Sequence, residues 1–275
     1  MQIPVHKIND KKLFIKWRDI KIDKNDVETA HRHDYYHMMI LKKVKGCHEI
    51  DFENYECKNY SLHFVGKGRV HKVEFDTDIE GGALLFSEEI FDSSDADRKL
   101  LSSFTYFKTD SYPVLNLNKK EFEKIYPLVE HTRNAIAGDN FDAGKYLLFA
   151  LLSEVRELYN EQSKNDSNKK SSYEIIQLNN YLQQNAKRVN DLDAFLKETS
   201  LTTARINTLC KQEYGKTALQ LLHERKLLEI KRLLVYTNMQ IKEIAYECGF
   251  EDVAYFNRYF KKYMSLTPNT FRKNH

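Results

Sequence analysis

No two of the four cysteines, Cys47, Cys57, Cys210 and Cys248, stand in a C-x-x-C pair, so zinc-finger spacing is absent. No apolar run approaches the roughly 20 residues of a membrane span, and the opening MQIPVHKINDKKLF lacks the apolar core of a signal peptide. A reduced, cytoplasmic chain with no membrane partner is expected by elimination. A net charge of +3 over 275 residues says nothing about nucleic acid on its own. Split at residue 172, however, 16 Lys+Arg stand against 11 Asp+Glu in residues 173–275, while residues 1–172 hold 27 against 29. The modest basic excess therefore sits in the C-terminal part, as a footprint on DNA requires. Residues 161–172, EQSKNDSNKKSS, hold no apolar side chain and cannot join a core. The expected organisation is one domain over residues 1–160, a flexible linker over 161–172 and a second domain over 173–275. With 41% hydrophobic residues, each domain can bury a core.

What is present divides by period. Up to about residue 92, short runs at 35–44, 48–52, 61–65, 72–75 and 82–86 are rich in β-branched and aromatic residues. Turn material separates them at Lys45-Gly46, Glu53-Asn54, 66–68, 76–78 and Gly81-Gly82. Many short, closely spaced strands predict a sandwich or barrel. From Asn118 the period becomes helical: Asn118 and Glu121 form a capping pattern, and Phe122, Ile125, Leu128 and Val129 make a stripe. A second stripe, Leu147, Leu148, Leu151, Leu152, Val155 and Leu158, is broad for a surface helix and must bury against something. Periodicity alone leaves open whether that is the domain's own sheet or a second subunit.

The most informative stretch is 241–273. Ile241, Ile244 and Ala245 repeat at helical spacing, Gly249 closes a turn, and Asp252 caps a second helix. In that second helix, apolar Phe256, Tyr259 and Phe260 are threaded between Asn257, Arg258, Lys261 and Lys262. A short helix, a tight turn and a helix with amide and cationic side chains outward is how a helix-turn-helix enters the major groove. The pattern recurs about fifty residues upstream: a short helix over 192–198, a turn at 199–201, Thr202 as cap, and a helix over 203–214 stopped by Gly215. Between the two motifs, residues 218–235 carry an apolar face of Leu219, Leu222, Leu227, Ile230, Leu233 and Leu234. A helix of that length spans roughly 27 Å, close to one turn of DNA. Double-stranded DNA is the expected partner.

Residues 173–275 resemble the DNA-binding domain of the AraC/XylS family of transcription regulators. The resemblance rests on Arg225-Lys226-Leu227, Leu233-Leu234, Ile244-Ala245, Gly249-Phe250, Phe256, Arg258, Phe260-Lys261-Lys262, Thr267-Pro268 and Phe271-Arg272. It implies base contacts from Ala204, Arg205, Asn207 and Thr208 in the first motif and from Val253, Ala254, Asn257 and Arg258 in the second. Asn suits adenine, Arg suits guanine, and Ala or Val can meet a thymine methyl. Thr202, Thr203, Lys211, Lys261 and Lys262 are better placed for phosphate. The first motif departs from the family pattern at Cys210, where a Phe is usual, and at Ala204 and Thr208, which replace larger contact residues.

In the N-terminal part, His31-Arg32-His33-Asp34-Tyr35-Tyr36-His37 precedes a Gly-rich turn that ends at Arg69-Val70-His71. On a strand, H-x-H puts both imidazoles on one face. The arrangement is similar to the motifs of cupin barrels, a common sensor domain in this family. The resemblance implies an α+β chain of two domains. The first is a cupin-like β-barrel followed by two helices, and the second is all-α with two helix-turn-helix motifs joined by a linking helix. It further implies a small-molecule effector in the barrel, touched by His31, His33, Tyr35, His37, Arg69 and His71, with no metal, no other cofactor and no catalytic residue. Trp17 falls where family members carry an arm over the pocket. By the same resemblance the helices within 119–162 form a homodimer, and an activator, the commoner case, would engage RNA polymerase. Two further readings stand beside this one: a metal-dependent cupin enzyme fused to a DNA-binding domain, and a constitutive DNA-binding regulator with a vestigial sensor.

Overall fold

In the strand Tyr36–Lys43, Met38 and Ile40 on one face and Met39 and Leu41 on the other are all buried, so both faces of its sheet are covered. The strand Ser61–Val65 is likewise buried throughout. The computed structural model describes residues 3–6, 15–20, 29–76, 79–108, 111–162 and 173–274. They group into two compact units, one spanning Pro4–Asn168 and one built on Lys169–His275. Most of the expected linker, residues 163–172, lies outside the described residues.

The N-terminal unit holds β1 (Val5–His6), β2 (Ile15–Asp19), β3 (His31–His33), β4 (Tyr36–Lys43), β5 (Gly46–Ile50), β6 (Glu53–Cys57), β7 (Ser61–Val65), β8 (Val70–Phe75), β9 (Glu80–Phe86) and β10 (Val114–Asn116). They make two five-stranded sheets, ordered β1-β3-β8-β5-β6 and β10-β7-β4-β9-β2. The expected barrel is thus a pair of sheets that share no strand among the described residues. Side chains from both inner faces meet between them: Tyr35, Met39, Leu41, Ala83 and Leu85 pack with Cys57 and Val73.

Several details depart from the sequence expectation: Glu53-Asn54 and Gly81-Gly82, expected as turns, lie within β6 and β9. Gly46 opens β5 instead of forming a turn; a Cβ there would lie 2.2 Å from the Glu74 carbonyl oxygen, so the glycine permits close strand approach. The strand expected over 48–52 stops at Ile50, because Asp51 (φ 51°) and Phe52 (φ 76°) make the hairpin turn. Trp17 lies in the edge strand β2, in register with Leu84 of β9, with its indole N–H donating to Asp19, and not in a free arm.

Three helices follow: α1 (Asp95–Ser103), α2 (Lys119–Ala137) and α3 (Phe141–Gln162). Asn118 and Glu121 form the anticipated capping box at the start of α2. Phe122, Ile125 and Val129 of α2 join Leu148, Leu151, Leu152 and Val155 of α3 against Met38, Ile40, Leu62, Phe64, Leu84 and Phe86, the outer face of the second sheet. This answers what periodicity left open for the α3 stripe: Leu148 and Leu152 are fully buried within their own domain. The broad stripe is explained by a helix wedged between a sheet and another helix.

The C-terminal unit is all helical: α4 (Tyr173–Asn185), α5 (Asp193–Thr199), α6 (Thr203–Tyr214), α7 (Ala218–Tyr236), α8 (Ile241–Glu247), α9 (Val253–Met264) and α10 (Pro268–Lys273). It has two cores. Ala218, Leu221 and Leu222 at the start of α7 pack with Ile175, Leu178, Phe195, Ile206 and Cys210. Leu227, Ile230, Leu233 and Leu234 further along the same helix pack with Ile244, Cys248, Phe256, Phe260 and Phe271. One helix therefore mounts both motifs. No described helix is long and apolar enough to cross a membrane.

Candidate functional site

The two helix-turn-helix motifs are built on the same local rules. Ser200, in the left-handed region at φ 55°, ends α5; the Thr202 hydroxyl then accepts from the Arg205 amide and starts α6. In the second motif the turn is Gly249 at φ 74°, and the Asp252 carboxylate accepts from the amides of Ala254 and Tyr255 to start α9. Gly249 is doubly constrained, since a Cβ would lie 2.2 Å from the Arg188 carbonyl oxygen. Gly215 and Ser265, both left-handed, end the two reading helices.

Buried Ile206, Leu209 and Cys210 anchor α6 and leave Thr203, Ala204, Arg205, Thr208 and Lys211 exposed. Buried Phe256, Tyr259 and Phe260 likewise leave Ala254, Tyr255, Arg258, Lys261 and Lys262 exposed on α9, with Val253 and Asn257 half-buried. Cys210 fills a core position, equivalent to Phe260, with a smaller side chain.

The two asparagines differ for a covalent reason. Asn207 Oδ1 accepts from the Ala218 amide at 3.0 Å, tying α6 to the start of the linking helix. The equivalent residue after α9 is Pro268, which has no N–H to offer. Asn257 instead donates to the Val253 carbonyl at 2.8 Å. Arg205 pairs with Glu174 at 2.9 Å, and Arg258 lies 3.9 Å from Asp252 with both side chains exposed. Thr208 donates back to the Ala204 carbonyl, and the Thr202 hydroxyl is engaged as a cap.

Two residues of this domain were given no role by the sequence. Tyr255 stands exposed in the first turn of α9, the part of a reading helix that meets base edges. Lys226 is only 1% exposed; its ammonium donates to the Cys248 carbonyl at 2.7 Å and to Asn190 Oδ1 at 2.9 Å, over the Phe250 ring. Burial without a carboxylate partner pushes its pKa down to about 8. The signal was available, because Lys226 falls four residues from both Leu222 and Ile230, in the apolar stripe itself.

In the N-terminal unit the histidines of both sheets converge. His31 and His71 are cross-strand partners on β3 and β8, and His33 Nε2 lies 2.7 Å from His71 Nε2. The His37 ring from β4 lies 5.0 Å from that of His33, and Tyr35 stacks on His33 at 4.4 Å. Arg69 is engaged elsewhere: its Nε donates to Asp51 at 2.8 Å in a buried pair. His48 and His63 were not anticipated, yet they extend the cluster. His48 Nε2 lies 2.9 Å from His71 Nδ1, and His48 Nδ1 lies 3.1 Å from His63 Nδ1. Burial and the surrounding imidazoles hold His48 and His71 well below the ordinary histidine range, and burial brings His63 to about 4. The signal for His63 was its place amid apolar residues in a strand buried on both faces.

A family model described as a helix-turn-helix domain matches residues 195–274. The xylose operon regulatory protein of Haemophilus influenzae is 33% identical over 100 residues, which is 36% of this chain and 26% of that relative. The chain thus spans about a quarter of the length of that relative. The transcriptional activator RhaS of Yersinia pestis is 24% identical over 250 residues, 88% of both chains. Among solved structures, the C-terminal domain of AraT from Geobacillus stearothermophilus is 25% identical with a TM-score of 0.37, covering 39% of this chain and 89% of that one.

Proposed function

We propose that the chain is a sequence-specific DNA-binding regulator of the AraC/XylS type, not an enzyme, a reading supported by the helix-turn-helix match over residues 195–274. The supporting observation is the pair of alike, capped helices α6 and α9, each with an exposed polar face, mounted on one linking helix of 19 residues, roughly 28 Å long. That length suits two helices entering successive major grooves on one side of the duplex.

Roles divide by position. Ala254, Asn257 and Arg258, joined by Val253 and Tyr255, read bases from α9. Ala204, Arg205 and Thr208 read from α6, where Asn207 keeps only its amide for the task. Lys211, Lys261, Lys262, Thr202 and Thr203 meet phosphate and set the register. Selection of duplexes from a randomised pool tests this reading. An enriched sequence that binds at least 10³-fold tighter than its scrambled form at fixed salt supports it; equal affinity for both rejects it.

The finer reading is that an effector reaching the histidine cluster of the N-terminal domain biases one arrangement of the chain over another, which requires unequal affinity for the two. Activation, and with it contact with RNA polymerase, follows the printed role of the RhaS relative. A homodimer within 119–162 would use the outer surface of α2 and α3, where Tyr146 is exposed, since the inner stripe is already buried. The compartment proposed is the cytoplasm, where the DNA is and where four free thiols persist.

A further inference from the structure

His31, His33 and His71 are buried, and one nitrogen from each lies within 4.8 Å of the other two. The hydrogen bonds of His31 and His71 select the tautomers that a metal ligand needs. His31 Nδ1 lies 2.8 Å from the Thr29 carbonyl, which can only accept, so the neutral ring carries its proton on Nδ1 and a lone pair on Nε2. His71 has its Nδ1 against His48 and its Nε2 against His33, so an Nδ1–H donated to His48 leaves the Nε2 lone pair aimed at the cluster. His48 in turn passes its Nδ1–H to His63, completing a run of oriented rings behind the cluster. A ligating histidine whose second nitrogen is held by a carbonyl or an acceptor ring is the usual support of a metal site.

We propose that His31, His33 and His71 bind one divalent transition-metal ion of the zinc class through their imidazole nitrogens, with His48 and His63 as the orienting shell. The ion takes the place of the proton between His33 Nε2 and His71 Nε2, and His33 stays neutral by carrying its one ring proton on Nδ1 instead. Four-coordinate N–metal distances of about 2.0–2.1 Å require ligand atoms roughly 3.3 Å apart, so modest rotations of three rings close the site. Three neutral ligands leave the +2 charge uncompensated and at least one position open, which suits hydroxide or a carboxylate on the sensed molecule. The proposal departs from the expectation of a metal-free pocket. The inference rests on the N-terminal domain being a binding domain and is independent of DNA.

The test uses the full chain, stripped with a chelator and titrated with Co²⁺ and separately with Zn²⁺. One equivalent per chain, with visible Co²⁺ bands of low coordination number, is expected. His33→Asn and His71→Asn should each weaken binding at least 100-fold, and His48→Asn by 10–100-fold. His131→Asn, on the exposed side of α2, should leave binding unchanged. Absence of saturable binding at micromolar metal by the wild-type chain overturns the proposal without recourse to any variant. So does binding that survives both His33→Asn and His71→Asn. A chain that binds DNA but no metal sinks this inference alone, and one that binds metal but no DNA sinks the regulator reading alone.

Discussion

Single side chains decide whether a contact specifies DNA or merely holds it. Asn257→Ala should cost about 1–3 kcal/mol of discrimination at its base position, because a bidentate amide is lost. Lys261→Ala should weaken matched and scrambled duplexes alike and lower the salt slope by about one. Titrations against both duplexes at several salt concentrations separate the two; identical behaviour would refute the division of roles. Arg205 must leave Glu174 to reach DNA, and a surface pair of this kind is worth about 0.2–1 kcal/mol. Glu174→Gln should therefore tighten DNA binding by up to about fivefold, measured as the ratio of dissociation constants at one salt concentration. Lys226 gives a pH signature. Its folded pKa of about 8 lies below the ordinary 10.5, so between those values the unfolded chain holds a proton the folded chain has released. The Lys226 contribution to stability should rise with pH across that window and be flat below about pH 8, against an opposing contribution from the buried thiols Cys57, Cys210 and Cys248, whose pKa values burial raises. Urea unfolding of wild type and Lys226→Met isolates the effect: the stability of the wild type relative to the variant should increase from pH 8 to 10, and an unchanged difference would refute the shift.

At the scale of elements, the turn of the second motif depends on backbone geometry. Gly249→Ala places a Cβ in the left-handed region and against the Arg188 carbonyl, and should cost at least about 1–3 kcal/mol by chemical denaturation. The helices were the legible part of this chain. Asn118, Thr202 and Asp252 cap where their spacing indicated, because capping is a local hydrogen bond between neighbours in sequence. Strand ends were less legible. Asp51-Phe52 turns at positive φ without a glycine, and β6 and β10 are short pieces whose pairing partners come from other strands. The histidine site was half legible: H-x-H on β3 shows its parity, whereas His48 and His63 join only when two sheets face each other. Arg69 pairs with Asp51, eighteen positions away, a partner that its neighbours in sequence do not reveal.

For the whole molecule, the α3 stripe shows why periodicity cannot separate a core from an interface. Both need the same apolar face, and only the sheet beneath Leu148 and Leu152 decides between them. Leu152→Ala should lower stability by about 2–5 kcal/mol without changing oligomeric state. Tyr146→Glu, on the exposed side of the same helix, should leave the fold intact and dissociate a dimer built there, as sedimentation would read. The account centres on two reading helices carried by one linking helix. A hydroxyl-radical footprint of the full chain on its enriched duplex tests this most directly. Two protected segments about one helical turn, ~10 base pairs, apart on one face of the DNA are predicted for each bound chain. A single protected segment, or protection spread evenly along the duplex, would contradict it.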